Sequence, residues 1–335
     1  MLRRAALRGN GRPLPTALTG LASGHENPRV RRGLGVGGVS RRRFVQGALL
    51  SASSVVLGAP REGRAAAPSG AASPDRYPPV IPSFPHILHG GDWNPDQWLD
   101  EPGVIEEDLR LMERARCNTF SVGIFAWSRL EPEEGRFELQ WLDGVMDALA
   151  SHGFHAFLAT PSGAKPRWMS ERYPEVRRID AQGRREPHGS RHNHCFTSPV
   201  FRERVRIING KLAERYSRHG ALAGWHVSNE YGGVCYCDLC LGAFRAWLKT
   251  RYSTLAELNR AWWTAFWSQT FQSWEQIDPR ETPLDGLKLD WERFVTHQTV
   301  DFMKNEVGPL RAFAPGIFVT TNMMWSFRGL DYWRL

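Results

Sequence analysis

No run in this chain of 335 residues is both long and apolar enough to span a bilayer, which takes ~20 residues; the weakly apolar stretch at 47–57 covers about eleven. Cysteine is also scarce, at five residues, so where those five lie carries information. A positive excess is missing from the body of the chain. The formal net charge is +8, yet residues 1–64 hold twelve arginines against Glu26 and Glu62, a local +10 that leaves −2 for the remainder. That remainder has no electrostatic footprint for nucleic acid. What is present is a globular composition, with 41% apolar content and fourteen tryptophans, at a length that suits a (β/α)8 barrel behind a leader.

The amino-terminal arginines are ordered rather than scattered. Ser40-Arg41-Arg42-Arg43-Phe44 precedes the weak apolar run and then a small-residue segment at 64–70, the order of a twin-arginine export signal. Residues 1–75 are therefore expected to be signal peptide and disordered linker, and 76–335 the folded domain. Localisation is expected to be secreted or periplasmic, with no stable membrane span.

From residue 85 onward, short apolar runs alternate with helical periodicity, the βα pattern of a parallel barrel. Strands are expected at 86–89, 119–124, 154–159, 225–228 and 316–320. Helices are marked between them by Ile105, Leu109 and Met112, by Leu142, Val145, Met146 and Leu149, and by Val205, Ile208, Leu212 and Tyr216. A long amphipathic helix is expected over 289–312. Five strands are visible, and closing such a barrel takes eight. The fold class is thus α/β, a TIM (β/α)8 barrel that stops after about five βα units.

The fourth strand leads into Val227-Ser228-Asn229-Glu230-Tyr231-Gly232, an amide and a carboxylate at a strand's carboxyl end, where barrel enzymes keep their chemistry. A helix cap or a solvated acid is the plain alternative for that pair. Just beyond, Cys235-Tyr-Cys237-Asp-Leu-Cys240 places three thiols in a short loop, and Cys195 lies upstream in Arg191-His-Asn-His-Cys195. A Cys235–Cys237 disulfide would be badly strained, whereas Cys-X-Cys-X-X-Cys wraps one ion. The expected cofactor is therefore one structural zinc on Cys195, Cys235, Cys237 and Cys240, with His192 or His194 as competitors for the place of Cys195. Cys117, in an apolar stretch, is expected to be a core thiol.

Taken together, Gly90-Gly-Asp-Trp-Asn-Pro-Asp-Gln-Trp98, Val122-Gly-Ile-Phe-Ala-Trp127, Asn229-Glu230-Tyr-Gly232, the cysteine loop and Trp263-Thr-Ala-Phe-Trp-Ser-Gln269 resemble the amino-terminal part of the catalytic domain of glycoside hydrolase family 42, the β-galactosidases. The resemblance implies a retaining hydrolase acting on terminal β-D-galactose, with Glu230 as proton donor. It places Asn229 and Arg191 at sugar-binding positions, makes Trp267 an aromatic wall of the galactose pocket, and matches the four cysteines to a structural zinc site. It also implies a β-galactoside or galacto-oligosaccharide substrate and, for a full-length protein, a homotrimer. The family nucleophile is a Glu that ends strand seven, so no residue of these five strands matches it; Asp92 and Glu131 also lie near strand ends but at other positions. Some members carry Arg where Ser121 stands and an acid where Ile124 stands, which leaves contacts near strand two open. The competing reading is an exported, non-catalytic, zinc-containing carbohydrate-binding protein using its tryptophan-rich rim.

Overall fold

Five short segments rich in β-branched, aromatic and small residues pair in parallel, and the connections between them are long enough to hold the helices that cover one face. The computed structural model describes residues 79–335 except 80, 85, 190, 282–283 and 325–328. All of these belong to one unit, Ser73–Leu335. The twin-arginine leader and linker expected over 1–75 lie outside the described residues, as does Trp325.

The strands are β1 (Gly90–Trp93), β2 (Thr119–Val122), β3 (His155–Ala159), β4 (Leu222–His226) and β5 (Phe318–Thr320), hydrogen-bonded in sequence order. Between them run α1 (Val104–Arg114), α2 (Trp127–Leu130), α3 (Gln140–Ser151), α4 (Arg167–Arg172), α5 (Pro199–Tyr216), α6 (Asp238–Tyr252), α7 (Leu255–Trp262) and α8 (Asp285–Phe313). Parallel strands in unbroken order, joined by four helical crossovers, are five consecutive strands of a (β/α)8 barrel. No helix of the described residues is long and apolar enough to cross a membrane.

The first strand starts four residues later than its apolar pattern predicts. Gly90 and Gly91 carry no β propensity, but a Cβ on Gly90 would fall 1.7 Å from the Thr119 carbonyl oxygen, so only glycine lets β1 approach β2 there. The fourth strand is displaced the other way, ending at His226 rather than at 228. An irregularity between Ala156 and Phe157 gives β4 an extra residue opposite β3, and Gly224 leaves room for the Phe157 ring, 2.7 Å from where its Cβ would be.

Two apolar cores result. The first lies between sheet and helices and includes Leu142, Val145, Met146 and Leu149 of α3 with Val205, Ile208, Leu212 and Tyr216 of α5, the residues whose spacing marks those helices in the sequence. Cys117 packs, half-buried, against it. The second gathers Cys195, Cys235 and Cys240 with Phe244, Leu248, Trp262 and Trp291, beneath α6, α7 and the start of α8. α8 packs along α5 and also contributes to the second core, so it joins both.

Candidate functional site

Past His226 the chain stays extended for one residue, with Val227 N donating to Thr320 O at 2.8 Å, and then turns sharply. Ser228 and Glu230 both take left-handed backbone angles, φ 55° and 48°, which cost side-chain-bearing residues of order 1 kcal/mol each. The turn is held from both neighbouring strands. Ser228 N donates to Thr160 Oγ1 at 2.7 Å beyond β3, and Glu230 N donates to Asn322 Oδ1 at 3.1 Å beyond β5. Glu230 is thus fixed above the carboxyl end of the sheet by strands on either side, although it lies four residues past the end of β4.

Arg191 reaches the same rim. Its Nη2 lies 3.0 Å from Glu230 Oε2, and its guanidinium sits over the Phe125 ring at 5.6 Å. The ion pair is close rather than well directed, since Oε2 is buried yet accepts no hydrogen bond of good geometry. The Glu230 side chain keeps 20% of its exposure and that of Arg191 42%, so both remain reachable from solvent. Asn229 is buried beside them, and a Cβ on Gly163 would meet both its Cβ and the Phe125 ring within 3.5 Å. His192 N donates to Gly163 O at 3.0 Å, tying the Arg191 segment to that turn. Burial and the neighbouring Arg191 push the His192 imidazole down to about 4, so it adds no positive charge near Glu230 at neutral pH. The sequence therefore points to three residues, Glu230, Asn229 and Arg191, that the fold brings together, and Phe125 joins them without having been singled out.

Beneath the turn lies a buried acid with no distinguishing mark in the sequence. Glu306 on α8 accepts a hydrogen bond from the Tyr231 hydroxyl, and both side chains are inaccessible. Burial pushes the Glu306 carboxyl up to about 7, partly offset by Ser162 and Tyr231. The Ser162 contact is loose, because neither Ser162 Oγ nor Glu306 Oε1 makes a well-directed hydrogen bond. Glu131 is structural: it is buried, ion-paired with Arg204, and accepts from Trp127 Nε1 and Gly135 N at 2.9 and 2.8 Å. Asp92 sits on β1, within electrostatic range of the buried His226.

The thiols of Cys195, Cys235, Cys237 and Cys240 lie within 4.8 Å of one another, with Cys195 Sγ 3.6 and 3.4 Å from those of Cys237 and Cys240. Four thiolates around one zinc at ~2.3 Å stand ~3.8 Å apart, whereas disulfide sulfurs stand at ~2 Å, so the cluster has the size of a tetrahedral metal site. All five cysteines are free. Donors also face the sulfurs: Gln298 Nε2 and Ile179 N point at Cys240 and Cys235 at 3.4 and 3.5 Å, the environment that charged thiolates need. Hydrogen bonds from the other three thiols push Cys237 far down, and hydrogen bonding with burial pushes Cys195 far up. Neither competing histidine joins the cluster. His194 instead stacks on Phe201 at 4.2 Å, and His192 belongs to the rim turn.

Trp267 is 75% exposed, in left-handed backbone at φ 59°, stacked against Phe266 at 5.6 Å. It fills no core. Trp263 and Phe266, also largely exposed, lie in the same segment just beyond α7.

Residues 92–335 match the family model of glycoside hydrolase family 42, described as beta-galactosidase. The chain is 56% identical over 263 residues to the beta-galactosidase BglY of Alicyclobacillus acidocaldarius, covering 77% of this chain and 38% of that one. It is 54% identical over 257 residues to the beta-galactosidase GanA of Bacillus subtilis, covering 73% and 38%. The crystal structure of a cold-adapted beta-galactosidase from Rahnella sp. R3 superposes with a TM-score of 0.75 at 51% identity, over 77% of this chain and 39% of that one. The chain thus spans somewhat under two fifths of the length of these relatives. With a family model covering most of its length and relatives more than half identical, this chain belongs to glycoside hydrolase family 42.

Proposed function

We propose that this chain carries the acid–base half of a retaining β-galactosidase that removes terminal β-D-galactose from galactosides. The observation that carries the reading is Glu230 above the carboxyl ends of β3, β4 and β5, paired with Arg191 at 3.0 Å beside the buried Asn229. A retaining glycosidase uses two carboxyl groups ~5 Å apart, one attacking the anomeric carbon and the other protonating the leaving oxygen and then activating water. Glu230 is the second of these. Asn229 would hydrogen-bond the sugar's 2-hydroxyl, a contact that strengthens as the oxocarbenium-like state forms. Arg191 holds the Glu230 carboxylate in place until substrate arrives, and Trp267 offers a flat apolar face to a sugar ring. The nucleophilic carboxylate would come from outside these five βα units, in a complete barrel.

The cysteine cluster is read as a structural zinc centre, supported by the spacing of its sulfurs and the donors around them. Zinc bound there would cross-link the Cys195 segment to the loop that follows Glu230, stiffening the rim without entering the chemistry. Residues 1–75 are read as a twin-arginine leader that exports a protein already folded around its metal.

The test is hydrolysis of an aryl β-galactoside, by this chain and by one extended with the remaining βα units of a family relative. The extended enzyme should turn over, and Glu230→Gln should lower its kcat about a thousandfold. This chain alone should bind galactose but release no aryl group. Turnover that survives Glu230→Gln would remove the proton-donor assignment. Saturable galactoside binding with no turnover in the extended enzyme would favour the non-catalytic carbohydrate-binding reading, for which the exposed Trp263, Phe266 and Trp267 are the relevant feature.

A further inference from the structure

Between the cysteine cluster and the Glu230 turn lies a cation that neither site needs for its own chemistry. Arg178 is buried at 6% exposure, over the Phe196 ring at 5.5 Å. Its Nε donates to the carbonyl of His194, the residue before Cys195, at 2.9 Å. Its Nη2 donates to the carbonyl of Gly232, two residues after Glu230 and three before Cys235. One rigid planar fork therefore spans both cysteine-bearing segments and the turn. Gly233 is shaped to it: φ is +87°, and a Cβ there would fall 1.6 Å from Arg178 Nη1. The backbone on either side repeats the connection. Cys195 N donates to Val176 O at 2.8 Å, and Tyr236 N donates to Ile179 O at 2.9 Å.

The charge is as telling as the geometry. A guanidinium stays protonated, and burying it without countercharge is costly. Its hydrogen-bond acceptors here are neutral carbonyls, and among the described residues no carboxylate comes within ion-pair distance of it. The acidic groups that favour its charged form are the part-exposed Glu186 and the thiols Cys235, Cys195 and Cys240. A dication held by four thiolates leaves a net charge of −2 beside the guanidinium, on the two segments that its fork joins.

We propose that Arg178 is a positioning residue that couples occupancy of the four-cysteine site to the order of the Glu230–Gly233 turn. With the metal bound, the charge and position of the thiolates hold the guanidinium, which in turn holds the Gly232 carbonyl. With it lost, nothing draws the Cys195 and Cys235–Cys240 segments together around the fork, and the turn loses its clamp. The proposal rests on the zinc reading above but not on the galactosidase reading.

The test uses this full chain and needs no catalysis: zinc content, the rate of zinc transfer to a chromogenic chelator, and amide hydrogen exchange over residues 230–236 before and after stripping. Wild type should hold one zinc per chain, and stripping should speed exchange in that stretch at least tenfold. Arg178→Met should release zinc about 10- to 100-fold faster, with exchange at 230–233 already fast and insensitive to stripping. Arg178→Lys, which keeps the charge and loses the fork, should retain zinc better than the Met variant while protecting the turn no better. Wild type that binds zinc but exchanges identically when stripped overturns the coupling, even if the Met variant does not fold. A Met variant matching wild type in both readouts also overturns it. A wild type that takes up no zinc overturns the metal reading, and this proposal with it.

Discussion

Glu306 brings an ionisable carboxyl into the packed floor under Tyr231, and burial pushes it up from an ordinary 4.5 to about 7. Between those two values the folded chain keeps a proton that the unfolded chain has released, so stability falls as pH rises through the window, by about 3 kcal/mol once the shift is fully expressed. Glu306→Gln removes the titration. Urea unfolding should therefore find the variant no more stable than wild type at pH 5 but more stable at pH 8, and parallel pH profiles for the two proteins would refute this. Cys237→Ser should abolish zinc retention, read as metal per chain after dialysis, because three remaining thiols cannot complete the tetrahedron. Among residues, the sequence shows those whose chemistry and local motif coincide. Glu230 and Asn229 follow a strand closely, and the Cys235–Cys240 spacing marks a thiol loop that could hold a metal. Glu306 and Arg178 have no such signal, and Phe125 is marked only as a member of the Val122–Trp127 motif, because each gains its role from partners that the fold brings in from 16 to 75 positions away.

Elements are legible to the extent that burial is one-sided. α3 and α5 bury the apolar stripes that their spacing announces, and α5 also begins where Ser198 accepts from Phe201 N at 3.3 Å with Pro199 in the first turn. Ser198→Ala should cost about 1 kcal/mol in urea unfolding; no loss would show that packing alone fixes the start of the helix. Strand edges are less legible. β1 is built on glycines that pattern-reading passes over, and β4 ends early because the left-handed Ser228 and Glu230 break its extension. β4 depends on close approach as well as on apolar content. Gly224→Ala puts a methyl 2.7 Å from the Phe157 ring and 3.0 Å from the Phe318 carbonyl oxygen, an overpacking expected to cost about 1–3 kcal/mol. Phe157→Leu in the same chain should recover part of that loss, and purely additive effects would rule out the ring as the obstacle.

For the whole molecule, the five-strand order was readable from the alternation of strand and helix patterns, while the existence of two separate cores was not, since the second is assembled from loops and from helices far apart in sequence. Among the described residues β1 and β5 each pair on one side only, and unpaired strand edges invite association. A polypeptide of residues 76–335 should therefore sediment as concentration-dependent oligomers, and a monomer unchanged across a hundredfold concentration range would contradict this. α8 bonds through Asp290 to Trp262 Nε1 at 3.0 Å, through Gln298 to the Cys240 thiol, and through Glu306 to Tyr231. These anchors are spaced eight residues apart, about 12 Å of helix per interval. Adding or deleting one residue between any two would swing the next anchor about 100° around the helix axis. So this rod sets a fixed ruler length that the end of α7, the sulfur cluster and the Glu230 turn must all share.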